Sequence, residues 1–131
     1  MNFNGKKAIY LQIADYICDK VLLGHLAEEE RVPSVRETAA DVEVNSNTVM
    51  RAYDWLQSHN IIYTKRGLGY FVSPGAQQTI QSVRKTEFVE ESVPELLRTM
   101  QTLGITADEL TQLLNSVSIS HKQKNPSSDA G

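Results

Sequence analysis

The chain is poor in the residues that form cross-links and metal centres. Cys18 is its single cysteine, which excludes an intrachain disulfide and a cysteine-rich metal site. The three histidines, His25, His59 and His121, share neither metal-ligand spacing nor a helix face, so we expect no bound metal. No stretch approaches the roughly 20 apolar residues of a membrane span, and no continuous apolar run follows the first residues. We therefore expect no membrane association and a cytoplasmic location.

The sequence also lacks the patterns of an enzyme active site. No Ser/His/Asp set, glycine-rich phosphate loop or pair of carboxylates in a pocket can be assembled. Gly67-Leu68-Gly69 misses the remaining glycine and the strand-to-helix context of a dinucleotide-binding loop. We expect a protein that is not an enzyme and that uses no cofactor.

What is present is an ordinary globular composition with slightly more acid than base. The chain has 131 residues, of which 40% are hydrophobic and 22% charged, which allows one domain or a small domain with an appendage. The formal net charge of −3 disfavours indiscriminate nucleic-acid binding, because phosphate contacts come from basic surfaces. A specific binder stays open if its basic residues share one face.

Residues 45–56 have the spacing of an amphipathic helix. Val49, Ala52, Tyr53 and Leu56 lie at i, i+3, i+4 and i+7, which predicts one buried face, and Asn45 is placed to cap the first turn. The opposite face is mostly polar and presents Ser46, Asn47, Met50, Arg51 and Asp54. A helix of this kind suits the DNA major groove, although Ser and Asn are also ordinary capping residues.

The patterns on either side place this helix in a larger motif. Residues 8–23 predict a first helix, and Ser34 with Glu37 has the capping-box spacing of a short second helix, joined to residue 45 by a tight turn. Two β-prone runs at 61–64 and 69–73 predict a hairpin with Lys65 and Arg66 at its tip. A basic hairpin there is a wing suited to a phosphate backbone or minor groove. The expected fold class is mainly α with a small β-hairpin, a winged helix-turn-helix.

The C-terminal part is predicted to be a separate helical module. Pro74-Gly75 marks a boundary, so we expect a DNA-binding domain at 1–75, a helical dimerisation module at 76–120 and a disordered tail at 121–131. The narrow apolar stripe of Ile80, Val83 and Phe88 favours a contact surface over a core. The last helices carry more apolar surface than they can bury alone, which predicts a homodimer. Its expected interface residues are Val93, Leu96, Leu97, Met100, Leu103, Leu110, Leu113 and Leu114.

Four separated blocks occur in a fixed order over residues 8–74. They are Tyr10-Leu-Gln-Ile-Ala, Val32-Pro-Ser-Val-Arg-Glu-Thr-Ala, Asn47-Thr-Val with Arg51-Ala-Tyr, and Ile62-Tyr-Thr-Lys-Arg-Gly-Leu-Gly-Tyr-Phe-Val. Together they resemble the winged-helix domain of the GntR family of bacterial transcriptional regulators. The remaining helices, with a Leu-Gly-Ile-Thr turn at 103–106, resemble the short C-terminal module of the YtrA-like subfamily.

The resemblance implies a sequence-specific DNA-binding regulator, expected to be a repressor that binds a palindromic operator in double-stranded DNA as a homodimer. The positions that match the family's DNA contacts are Ser34, Arg36, Asn45, Ser46, Asn47, Thr48, Lys65, Arg66 and Gly67. Ser46 and Met50 depart from the family, because arginines are usual there, so the family's guanine recognition is not carried over. We expect Asn47 to pair with adenine, Met50 to touch a thymine methyl and Arg51 to add positive charge.

Two alternatives stay open at this point. Arg36 and Arg51 are also placed to form surface ion pairs with Glu37, Asp54 or the acidic run at 28–30. The net acidity and Ser46 also fit a winged helix that serves protein–protein assembly without binding DNA. Because little chain follows the wing, we expect no sizeable small-molecule cavity, and the sequence names no effector ligand.

Overall fold

The computed structural model describes residues 7–124 and divides the chain into two compact units, the first ending at Lys85 and the second beginning at Thr86. The first unit contains helices α1, α2 and α3, a two-stranded hairpin and most of helix α4. Their bounds are α1 Ile9–Leu22, α2 Val35–Val42, α3 Ser46–Ser58, β1 Ile62–Lys65, β2 Gly69–Val72 and α4 Ala76–Glu87. The predicted fold class, mainly helical with a small β-hairpin, is confirmed.

Helix α3 buries the face that its spacing predicts. Val49, Ala52, Tyr53 and Leu56 are each 0% exposed, and they pack against the apolar face of α1 in one hydrophobic cluster. Cys18 lies in the same cluster and is buried. Removing this apolar surface from water stabilises the arrangement and fixes which face of α3 remains outside.

The turn between α2 and α3 is set by local chemistry at both ends of α2. Ser34 and Glu37 form the predicted capping box, each side chain bonding the other residue's backbone N–H. At the C-terminal end Glu43 takes the left-handed conformation with φ of +57°, and the Val44 N–H donates to the Ala39 carbonyl at 3.0 Å. The next helix can therefore begin almost at once.

Strand β2 is hydrogen-bonded along both of its edges. On one side it pairs with β1 in antiparallel register, with Tyr63 opposite Phe71. On the other side Arg31 forms a bridge with Phe71, and the Val32 N–H donates to the Tyr70 carbonyl at 2.8 Å. The extended piece before α2 therefore fixes the hairpin to the start of the helix-turn-helix.

Helix α4 belongs to the core of the first unit. Ala76 and Ile80 are buried in its hydrophobic cluster, and the Gln77 side chain donates to the Val21 carbonyl at 3.1 Å. The Arg84 guanidinium lies 2.8 Å from the Asp19 carboxylate. In the sequence, the narrow apolar stripe of Ile80, Val83 and Phe88 favours a contact surface over a core. That prediction is wrong for Ile80, which is a core residue because α4 packs along α1. The first unit therefore continues past the predicted boundary at Gly75.

The second unit is helical apart from a short turn at residues 104–106. It comprises a π-helical segment Phe88–Ser92, α5 Val93–Leu103 and α6 Ala107–Lys124. The spacing of Ser92 and Glu95 predicts a capped restart at Pro94, but Ser92 keeps helical dihedral angles and makes no capping bond, because the π-helical turn leads directly into α5. Gly104 ends α5 with φ of +70°. The spacing of Thr106 and Glu109 predicts a capping box for α6, and both of its hydrogen bonds form.

The last helix continues to Lys124, past the predicted start of a disordered tail at residue 121. The rest of that predicted tail, 125–131, lies outside the described residues. Across residues 7–124, no helix combines the length and the hydropathy that crossing a membrane requires.

Candidate nucleic-acid interface

The N-terminal turn of α3 presents small polar side chains to solvent. The Asn45 side-chain oxygen accepts a hydrogen bond from the Asn47 N–H at 2.7 Å and so caps the helix, as predicted. Ser46 and Asn47 are exposed, whereas Thr48 is half-buried. One helical turn further on, Met50 is 43% exposed on the same outward face. The cap uses the Asn45 side chain internally and leaves Asn47 and Met50 facing outward.

Tyr53 fastens this helix to α2 and to the hairpin. Its hydroxyl donates to the Pro33 carbonyl at 2.6 Å and lies 2.8 Å from the Thr38 hydroxyl. Its ring meets the Tyr70 ring of β2 edge-on, with centroids 5.0 Å apart. Burial raises the pKa of Tyr53 to about 12, so the hydroxyl keeps its proton at neutral pH. Helix α3, the segment before α2 and strand β2 are thereby held in a fixed arrangement.

Arg36 and Arg51 do not form the surface ion pairs that their positions in the sequence allow. The Arg51 guanidinium lies 4.1 Å from the Tyr10 ring centroid, a cation–π contact with α1. Arg36 is exposed near the start of α2. Within residues 7–124, neither has a carboxylate within 4.0 Å, and the ion pairs involve Lys7 and Arg84 instead. No carboxylate in the described part of the chain therefore neutralises the positive charge of either side chain.

Glu37 is occupied by its own helix cap. Its carboxylate accepts the Ser34 N–H at 3.0 Å, and hydrogen bonds to the backbone and then to the side chain of Ser34 hold the pKa of Glu37 below its usual value. Ser34 is half-buried and completes the same box. The capping carboxylate is thus engaged in helix formation rather than in pairing with Arg36.

The hairpin tip carries two basic side chains in different settings. Lys65 Nζ lies 4.4 Å from the Phe71 ring centroid and 5.9 Å from that of Tyr63, so aromatic rings support its ammonium group. Arg66, the next residue, is exposed to solvent. Gly67 has φ of +77°, a conformation that side chains disfavour, and it closes the turn. At the tip, Lys65 therefore lies against aromatic rings, whereas Arg66 is exposed to solvent.

The acidic run at 28–30 bonds to its own surroundings. Glu28 accepts the Gly75 N–H at 2.6 Å, Glu29 accepts the Tyr63 hydroxyl at 2.6 Å, and Glu30 accepts the Ala27 N–H at 2.9 Å. The Glu29 hydrogen bond also raises the pKa of Tyr63. These carboxylates support the loop and the hairpin and do not pair with Arg36, Arg51 or Arg66.

Comparison with known proteins identifies the family. The sequence profile of bacterial regulatory proteins, gntR family, matches residues 9–72. The HTH-type transcriptional regulator YhcF of Bacillus subtilis (strain 168) is 34% identical over 110 residues, which are 84% of this chain and 89% of that protein. The chain belongs to the GntR family. It is a DNA-binding transcriptional regulator and not an enzyme, as its sequence predicts.

Two further GntR relatives match most of the chain. The HTH-type transcriptional repressor YtrA of Bacillus subtilis (strain 168) is 31% identical over 110 residues, 84% of this chain and 84% of that protein. A crystal structure described as a GntR-family regulator from Bacteroides thetaiotaomicron is 49% identical, with a TM-score of 0.75 over 87% of this chain and 99% of that one. The similarity extends well beyond the winged helix, in agreement with the YtrA-like resemblance.

The second unit of this GntR regulator exposes much of its apolar surface. Of the eight predicted interface residues, Met100 is buried, at 7% exposure, and Val93 and Leu110 are half-buried. The other five are exposed: Leu96 41%, Leu97 53%, Leu103 66%, Leu113 57% and Leu114 59%. Phe88, Val89 and Val117 add to this surface outside the predicted set, at 58%, 55% and 66% exposure. These eight exposed side chains are all large and apolar.

One open cleft lies between α1 and α2, with a volume of about 270 Å³. Its polar groups bond to one another, since the Tyr16 hydroxyl donates to Asp41 at 3.1 Å and Lys20 Nζ lies 4.7 Å from the Tyr16 ring centroid. Among the described residues, no group of three His, Cys, Asp or Glu side chains could hold a metal ion. The cleft does not identify an effector ligand of this GntR regulator.

Three tyrosines position the side chains of the candidate interface, although the sequence does not predict them as site residues. Tyr10 carries Arg51, Tyr53 joins α3 to α2, and Tyr70 lies between Tyr53 and Met50, with its hydroxyl 3.9 Å from the Met50 sulfur. Tyr53 is recognisable by spacing as a core residue, and all three lie in the blocks that resemble the family. Nothing in the sequence pattern indicates which side chains they meet.

Proposed function

We propose that this GntR-family protein is a transcriptional repressor that binds a palindromic operator as a homodimer. The observation that carries this proposal is the frame around Tyr53. One buried hydroxyl joins α3, the recognition helix of this proposal, to the segment before α2, and the same ring packs on β2, the second strand of the wing. A fixed relation between helix and wing is what simultaneous contact with a major groove and its flanking phosphates requires.

The first unit supplies the DNA contacts in this proposal. Asn47, Ser46, Thr48 and Met50 face the bases, with Asn45 capping their helix. Ser34, Arg36, Arg51, Lys65, Arg66 and the Gly67 backbone contact phosphates or the minor groove. The free guanidinium groups of Arg36 and Arg66 support this division, because no carboxylate lies within 4.0 Å of either among the described residues.

The second unit supplies the dimer contacts. The exposed leucines of α5 and α6 are too apolar to remain in water, and a second copy of the same surface would cover them. Two-fold symmetry would place two recognition helices about 34 Å apart, or a multiple of that distance, and so require an inverted repeat in the operator. The relative YtrA is described as a repressor, which favours repression here.

The proposal is tested by selecting bound duplexes from random DNA with the full-length protein. We expect an inverted repeat with half-sites centred about one helical turn, 10 to 10.5 base pairs, or a multiple apart. A reporter gene behind the selected site should be expressed less when the protein is present. If no sequence is enriched, specific binding is contradicted. If single half-sites are enriched, the dimer is contradicted.

The dimer is tested separately by sedimentation. The wild type should sediment as a dimer at micromolar concentration, and Leu113→Lys should shift it toward monomer because a buried charge opposes association. Gln112→Lys, at the exposed neighbouring position, is the matched control and should remain dimeric. A stable wild-type monomer would overturn the dimer.

A further inference from the structure

Tyr70 is a wing residue that touches the recognition helix. Its hydroxyl lies 3.9 Å from the Met50 sulfur in hydrogen-bonding geometry, and its ring packs edge-on against Tyr53. In the hairpin register Tyr70 lies opposite Thr64, one pair before the Lys65–Gly69 pair that closes the strands. A single side chain therefore connects the base of the wing tip to the outward face of α3.

Met50 is a flexible side chain in an exposed position. Methionine has three rotatable bonds, and ordering such a side chain when a complex forms opposes binding. The Tyr70 hydroxyl contacts the Met50 sulfur at 3.9 Å, while 43% of Met50 remains exposed. The contact thus engages the sulfur of Met50 and leaves the exposed part of the side chain available to a partner.

We propose that Tyr70 is a positioning residue that holds Met50 against the C5-methyl group of a thymine in the major groove. This inference rests on the proposed function, since it names how one base is recognised. Thymine is the base that presents a methyl group in this groove, and apolar side chains recognise it by contact. The restrained thioether ends in a terminal methyl, which suits that contact and offers no donor to guanine.

The test replaces thymine by uracil, one position at a time, in the selected operator. This change removes the C5-methyl group and leaves every Watson–Crick and major-groove hydrogen-bonding group in place. For the wild type we expect one thymine per half-site at which the replacement weakens binding by about three- to five-fold, the effect of one buried methyl. The thymine-to-uracil affinity ratio at that position is the readout.

Three variants assign the effect. Met50→Ala should bring the ratio to near one, because the contacting group is absent. Tyr70→Phe keeps the ring and its packing on Tyr53 but loses the hydroxyl, and the ratio should fall below about two because Met50 is no longer ordered beforehand. Tyr63→Phe is the matched control, because it removes a hairpin hydroxyl that bonds Glu29 rather than the recognition helix. Its ratio should equal that of the wild type.

The outcomes separate this inference from the proposed function. An operator that binds well but shows no thymine sensitive to the change would overturn the methyl contact and leave DNA recognition standing. A Tyr70→Phe protein that binds all duplexes more weakly while keeping the wild-type ratio would reduce Tyr70 to a structural residue. Absence of any specific binding by the wild type would overturn both proposals together.

Discussion

The Tyr53 hydroxyl, in the middle of the recognition helix, donates to the Pro33 carbonyl at 2.6 Å. Pro33 precedes the capping residue of α2, so this bond fixes the distance between the two helices of the helix-turn-helix. The same hydroxyl lies 2.8 Å from Thr38 on α2. Orientation of the recognition helix therefore depends on a buried polar group as well as on apolar packing.

Tyr53→Phe should destabilise the protein. The substitution keeps the ring but leaves the Pro33 carbonyl and the Thr38 hydroxyl without this partner, which costs about 1 to 3 kcal/mol in unfolding free energy. Urea denaturation measures the change. Tyr16→Phe removes an exposed hydroxyl that bonds Asp41 and should stay within about 0.5 kcal/mol of the wild type. Equal stability of the two variants would contradict the role given to Tyr53.

Alkaline pH should remove part of the stability that Tyr53 contributes. Burial raises its pKa from 10.0 to about 12 in the folded state, so its stabilising effect is fully present below pH 10 and is lost as pH rises through 12. The difference in urea midpoint between wild type and Tyr53→Phe should therefore shrink from pH 9 to pH 12. A difference that stays constant over this range would disagree with a buried, protonated hydroxyl.

The capping box of α2 gives the opposite pH dependence. The Ser34 hydrogen bonds lower the pKa of Glu37 from 4.5, so the stabilisation is present above pH 4.5 and is lost as pH falls through the folded-state pKa. Ser34→Ala should cost about 1 kcal/mol at neutral pH, and the difference should narrow in acid. Ser82→Ala, on the exposed face of α4, serves as the control and should have little effect at either pH.

Ile80→Ala should destabilise the first unit as a core substitution does. Ile80 is 1% exposed and packs in the same cluster as the three helices of the motif, so its truncation should cost about 2 to 5 kcal/mol. Val83→Ala, at a half-buried position on the same helix, should cost less. Thermal and urea unfolding report both changes, and a neutral Ile80→Ala would place α4 outside the core.

Salt dependence distinguishes phosphate contacts from base contacts. Arg36→Ala and Arg66→Ala should each reduce the slope of log affinity against log salt by about one unit, because each contact releases one counterion. Lys85→Ala, an exposed cation on α4, should leave the slope unchanged. Binding that is insensitive to salt and to both arginine substitutions would favour the protein-assembly alternative.

Local patterns in the sequence predicted the elements that carry the interface. The i, i+3, i+4, i+7 spacing of Val49, Ala52, Tyr53 and Leu56 reports burial of one face, and all four are fully buried. The hairpin follows from two β-prone runs around a glycine-bearing turn, and β1 and β2 form there. These features depend on neighbours within one turn or one hairpin, which a single sequence contains.

Contacts between distant elements could not be predicted in the same way. The stripe that includes Ile80 shows that α4 has an apolar side. Whether that side forms part of the core or a contact surface depends on whether α4 packs against α1, which the local pattern does not reveal. The contacts of Arg51 with Tyr10 and of Met50 with Tyr70 join residues that are far apart in the chain. Their partners follow from the packing of the whole unit, so they appeared only in the structure.

The pairing of β2 along both edges has a consequence for the DNA. A strand bonded to β1 on one side and to the segment before α2 on the other cannot swing outward as a hinged flap. A duplex whose grooves fit poorly must therefore change its own shape, and the energy of that change depends on the stiffness of its base-pair steps. Operators with identical contacted bases but different intervening steps should consequently differ in affinity.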